Sequence, residues 1–312
     1  MDKEVLKNLN RYCRLRVRFF ASVEVADRYW IGAVLRNRFL HAADSVTDSQ
    51  GISLRRIIDT LPLPDNHFLY RQLKGGFPKG FFLDCSDLPF DYKGFCFEAD
   101  RIYTFSIVLI GNMNEYKPMY MDAVKKMLGS GFGHPVVPMT VVDIIEEEHS
   151  VAPLYEYSEE SVDLQLVFKT PVCLVRVSKE GGGGFQNKLN NFPSFYQFMR
   201  SLMYRLVTLS ILYGGSRRFE SLDEMEEWIE QSISSSYQAM LLRANLFYMR
   251  LLGTPKVGDN TVYSMGGYSG RLIFGNVPAA LLPVLHAGAQ VGVGADINYG
   301  LGQFCFDYKV KK

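Results

Sequence analysis

Hydrophobic and polar residues alternate from Tyr12 to Glu24, where Leu15 and Val17 interleave with Arg14, Arg16 and Arg18. Period-two alternation predicts a strand with the three arginines on one pleat face. The next stretch, Ala26 to Asp44, changes to helical spacing and predicts a helix ending near His41. Residues 45–95 break the rhythm with LPLPDN and GGFPKG and read as an irregular excursion with short extended pieces. From Ile102 the pattern sharpens into a strand to Gly111, then a helix over Tyr116–Leu128 opened by Pro118, then a glycine turn and extended chain to Glu148.

A soft boundary at 146–160 interrupts the apolar rhythm. Beyond it, Val162–Val177 predicts a long strand broken at Pro171, Lys179–Pro193 a glycine-rich loop, and Ser194–Tyr213 an apolar helix ended by Gly214 and Gly215. A further helix is expected from Leu222 to about Leu252, then a strand over Gly266–Gly275, a short helix within Val277–Gln290 and a last strand after Gly300. Each half thus reads as an αβ sandwich on an antiparallel sheet, divided as 1–150 and 151–312.

Composition narrows the classes. The chain has 312 residues, 47% hydrophobic and 21% charged, which suits folded domains rather than disorder. Lys plus Arg at 34 against Asp plus Glu at 33 advertises no polyanion partner, although a local basic groove is compatible with it. The charged opening lacks the apolar core of a secretory leader, and Val277–Ala295 is interrupted by Pro278, Pro283 and glycines, so a cytoplasmic protein without a membrane span is expected. Five scattered cysteines show no zinc spacing and read as buried thiols. No HExxH-type constellation is present, and Asp143 with Glu146–Glu148 reads as a solvated charge run, so no metal or other cofactor is expected.

Near the end of the chain lies the stretch QVGVGADINYGLGQF, with Gly292, Gly294, Gly300 and Gly302 in two Gly-x-Gly pairs. Glycines admit positive φ and close backbone approach, so the loop either presents N–H groups to phosphates or packs tightly against a helix. Neither Lys nor Arg lies between the pairs, and Asp296 would repel a phosphate.

Several stretches together resemble a known family: Gly32–Ala43, Tyr103–Gly133, Leu166–Leu174 with Phe195–Gly214, and Gly266–Phe304. They are similar to the CRISPR-associated endoribonucleases of the RAMP superfamily that cut precursor CRISPR RNA within each repeat. The resemblance implies an α+β chain of tandem ferredoxin-like (RNA-recognition-like) modules with a C-terminal glycine-rich loop near the RNA backbone. It also implies an antiviral-defence hydrolase with a metal-independent site, whose histidine position is held here by His41.

An imidazole titrates near neutrality and can act as base or acid, and Arg38 or Arg36 could supply a fixed cation, Arg38 being the better placed. Tyr29 could orient a proton or simply pack, and His134 beside its glycine turn is the reserve candidate. Candidate RNA contacts are Arg14, Arg16, Arg18, Lys188, Arg217 and Arg218, together with the four loop glycines. The expected partner is CRISPR repeat RNA, with a CRISPR interference or adaptation complex or a homodimer through the 196–213 helix also open. The alternative function is a non-catalytic RNA-binding or scaffold subunit of the same fold.

Overall fold

The computed structural model describes residues 12–149, 161–174, 194–215, 219–255 and 264–310. Strand β1 (Tyr12–Phe20) places Leu15, Val17 and Phe19 in the core while Arg14, Arg16 and Arg18 take the other pleat face. A short strand β2 (Val25–Asp27) precedes α1 (Ile31–Asp44), so the helix begins later than its periodicity suggests. The excursion holds two short helices, α2 (Leu54–Asp59) and α3 (Tyr70–Leu73), and strands β3 (Phe81–Asp84) and β4 (Phe95–Phe97). Strand β5 (Tyr103–Ile110), helix α4 (Lys117–Ser130, Pro118 in its first turn) and strand β6 (Thr140–His149) follow.

The order β3-β5-β1-β6, all antiparallel, is the interleaved order of a βαββαβ module. The excursion is therefore not only connection, because β3 is an edge strand of the sheet and β2 pairs with β4 as a separate ribbon.

The second module repeats the plan. Its elements are β7 (Ser161–Val172), α5 (Phe195–Tyr213), α6 (Leu222–Ile233), β8 (Met240–Leu252), β9 (Ser264–Pro278), α7 (Leu282–Val291) and β10 (Phe304–Val310). The sheet order is β10-β7-β9-β8, again antiparallel. Ser194 and Gln197 form a reciprocal capping box that fixes the start of α5.

Two expectations are corrected here. The helix expected from Leu222 to Leu252 ends at Ile233, and Met240–Leu252 is a strand. The serine run 234–236 ends the helix, and Met240–Gly275 through Leu252–Ser264 pairing replaces it. The 196–213 helix is no outer interface either, since Leu202, Met203, Leu206, Val207 and Leu209 are buried in the core.

One continuous apolar core spans both modules. Along the seam Trp30 N donates to Leu252 O at 2.8 Å, the Trp30 indole donates to Tyr299 O, Tyr12 Oη donates to Gln290 at 3.0 Å and Tyr213 Oη donates to Pro78 O at 3.1 Å. Among the described residues no helix is long and apolar enough to cross a membrane. Cys13 and Cys85 are buried as expected, whereas Cys96 is exposed because it alternates outward between the buried Phe95 and Phe97 on β4.

Candidate active site

Helix α1 sorts its residues sharply. Ile31, Leu35, Phe39, Ala42 and Ala43 turn to the core, leaving Asn37, Arg38, His41 and Asp44 along the opposite side. Three and four residues are near whole turns, so Arg38 and Asn37 neighbour His41 on this ridge. His41 is exposed and lies in the last turn of the helix. Asn37 donates from Nδ2 to Thr254 Oγ1, just past β8, so the second module borders the ridge.

Arg36 is not part of that ridge. Five residues amount to roughly 140° of rotation from His41, and the Arg36 guanidinium lies over the Tyr299 ring, 4.4 Å from its centroid. Tyr29 is also apart. It precedes the helix, roughly 15 Å of helical rise from His41, and its hydroxyl accepts from Arg28 at 3.2 Å.

The glycine loop packs against the start of α1. Gly292, Gly294, Gly300 and Gly302 all have positive φ, from 76° to 90°. Val293 N donates to Gly302 O at 2.9 Å, Ala295 N to Cys173 O at 2.8 Å and Gly302 N to Pro171 O at 2.9 Å. A Cβ on Gly294 or Gly302 would overlap the Cys173 or Val293 carbonyl oxygen. These glycines serve close internal packing, and the loop turns Ala295, Asp296 and Asn298 outward, with Asp296 exposed in the left-handed region. On the facing helix, a Cβ on Gly32 would overlap the Tyr299 carbonyl oxygen.

The arginine face of β1 is matched by carboxylates. Arg14 meets Asp84 at 2.7 Å, Arg16 meets Glu147 at 3.0 Å and Arg18 donates to Asp143 at 2.8 Å. Burial alone would raise the Asp84 carboxyl, but the Arg14 charge and the hydrogen bonds from Arg14 and Ser86 outweigh it and hold it below its ordinary value. The acidic run is correspondingly not merely solvated, since Lys117 reaches Glu146 and, at 3.3 Å, Glu148. An open groove of about 670 Å³ lies over Arg16, Arg18, Arg101 and Tyr103. Lys188, Arg217 and Arg218 lie outside the described residues.

Among the described residues no three His, Cys, Asp or Glu side chains converge as a metal-ligand set. His134 is exposed, His67 accepts from Leu69 N through Nδ1 at 3.2 Å, and burial lowers the affinity of His67 and His286 for protons.

The profile of the family CRISPR-associated endoribonuclease Cas6 matches residues 166–304. That span runs from β7 to the start of β10 and contains the glycine loop. Residues 166–304 of the chain are thus similar to the Cas6 family. No curated protein sequence matches it. Its fold is similar to Cas6 of Thermus thermophilus in a product complex, with a TM-score of 0.55 at 13% identity over 96% of this chain and all of the other. It is also similar to a partial Cas6-RT-Cas1–Cas2 complex, with a TM-score of 0.59 at 12% identity, covering 98% of this chain and 48% of that one. At such identities the likeness is one of fold.

Three residues beside α1 escape pattern reading: Asn37, Lys79 and Tyr299. Asn37 had a local signal, four residues before His41 on one helix face. Lys79 and Tyr299 had none, because only tertiary folding brings the 77–80 segment and the glycine loop to the flank of α1.

Proposed function

We propose that this chain is a metal-independent endoribonuclease that cuts precursor CRISPR RNA within each repeat. The observation that carries the reading is the ridge on α1 in which exposed His41 follows half-buried Arg38 and Asn37, in a chain whose residues 166–304 match the Cas6 family. The RNA 2′-oxygen attacks the adjacent phosphorus, forming the 2′-O–P bond and breaking the P–O5′ bond. His41 takes the 2′-hydroxyl proton or delivers a proton to the departing 5′-oxygen, and Arg38 faces the charge that builds on the phosphoryl oxygens. The products carry a 5′-hydroxyl and a 2′,3′-cyclic phosphate.

The test is cleavage of the host repeat RNA in excess EDTA by the unmodified chain and by His41→Ala, alongside RNA with a 2′-deoxy cut site. Cutting lost in both altered reactions supports the reading; cutting that persists with His41→Ala removes His41 from it.

A non-catalytic subunit that holds RNA is the second reading, favoured by the outward Asp296 and the lack of Lys or Arg between the glycine pairs. RNA binding without cutting identifies it. The Cas6-RT-Cas1–Cas2 likeness supports work beside other CRISPR proteins under either reading.

A further inference from the structure

The flank of α1 away from His41 carries a second concentration of charge. Asp59 on α2 receives both Arg55, one turn earlier, and Lys79, whose Nζ lies 3.3 Å from it. Lys79 is withdrawn from solvent, with only 16% of its side chain exposed, and its ammonium sits 3.7 Å from the Phe77 ring centroid. Arg36 reaches the same neighbourhood from α1, its plane set by the Tyr299 ring and its Nη1 donating to Asn37 at 3.1 Å.

Three cations and one carboxylate leave a surplus of two positive charges here. Burial lowers the proton affinity of Lys79, and although Asp59 opposes this, Arg36 and Arg55 repel the ammonium further. The cluster is unlike the β1 face, where each arginine has its own carboxylate. Among the described residues Arg36 makes no ion pair at all. A bound phosphate monoanion would relieve the repulsion and accept from the fork of Arg36 and from Lys79.

We propose that Arg36, Lys79 and Arg55 form a phosphate-binding subsite for single-stranded RNA beside the cut, next to the glycine loop. The proposal rests on the reading of the chain as an RNA-processing protein. Because Arg36 is turned roughly 140° from His41 along α1, the phosphate held is a neighbour of the scissile one. The subsite fixes the strand, and its residues are positioning residues.

The experiment measures binding of the full chain to fluorescein-labelled repeat RNA with a 2′-deoxy cut site, by anisotropy, across about 50 to 200 mM salt. Lys79→Met is expected to weaken binding several-fold and to reduce the slope of log affinity against log salt by about 0.7, the value of one single-strand phosphate contact. Lys79→Arg keeps both. Asp59→Asn, which raises the surplus charge, tightens binding, a sign that loss of structure would not produce. Melting curves accompany each variant. If the unmodified chain binds while Lys79→Met and Asp59→Asn leave affinity and slope unchanged, the subsite is overturned and the nuclease reading stands; if the unmodified chain binds no RNA, both fall.

Discussion

Helices α1 and α5 occupy the same place in their modules, each following the first strand of a βαββαβ unit, yet they are built for different ends. In α5, 14 of 19 residues are buried, and even Arg205, Thr208 and Ser210 are enclosed. Arg205 spends its Nε on Val291 O at 3.0 Å, at the end of α7, and desolvation lowers its guanidinium to about 10. In α1 nine of 14 residues are buried, and Asn37, Arg38, His41 and Asp44 make a polar ridge along the other side. The same topology thus yields an enclosed supporting helix in one module and, in the other, a helix with one polar side left uncovered.

The sharpest way to break this contrast is His41→Ala. Cleavage is expected to fall about 10²- to 10⁴-fold with RNA affinity and melting temperature nearly unchanged, as read by single-turnover gels and calorimetry. A variant that unfolds instead makes His41 a structural residue.

Paired substitutions on the two helices come next. Leu206→Ala in α5 should cost about 2–5 kcal/mol in urea unfolding, because Leu206 is fully buried. Arg38→Ala on α1 should cost under about 0.5 kcal/mol of stability while slowing cleavage. Equal stability losses would abolish the distinction between the helices.

Asp84 sharpens the contrast between paired and surplus charge. Removing one partner of an enclosed pair leaves the other unmatched, so Asp84→Asn should cost about 3 kcal/mol. The Asp84 carboxyl is depressed in the folded chain, so its contribution is present above its unfolded value near 3.8 and lost as pH falls through the lower folded value. Urea midpoints from about pH 5 to pH 2 should therefore drop less steeply in Asp84→Asn than in the unmodified chain.

The smallest effect tests the seam. Alanine is the better helix former by about 1 kcal/mol, yet Gly32→Ala should destabilise the chain by about 1–3 kcal/mol, since its methyl overlaps the Tyr299 carbonyl oxygen. A stabilised variant would show that the glycine loop is not seated on α1 in solution.

The strands with one buried face were legible from alternation, as were α1, α4 and α5 from their periodicity and stop signals. Strand β8 was not. It is an edge strand with Met240, Leu241, Leu242 and Phe247 exposed, so its apolar residues are not sorted onto one face and leave no period-two signal. Strand β3 is four residues long and buried inside a segment punctuated by proline and glycine. At the candidate site the His41–Arg38 spacing was visible locally, while the Arg36–Tyr299 stack and the Lys79 cluster required tertiary closure. The carboxylate partners of Arg14 and Arg16 likewise came from sequence-distant strands.

Trp30 joins these regions, with its amide on Leu252, its indole on Tyr299 and its ring edge-on to Phe90. The chain has one other tryptophan, Trp228 on α6. Indole emission depends on how dry and how polar its surroundings are, so a chain retaining only Trp30 carries a native optical reporter at the junction of its two modules. Its wavelength reads, without any label, whether that junction stays closed while RNA enters and leaves.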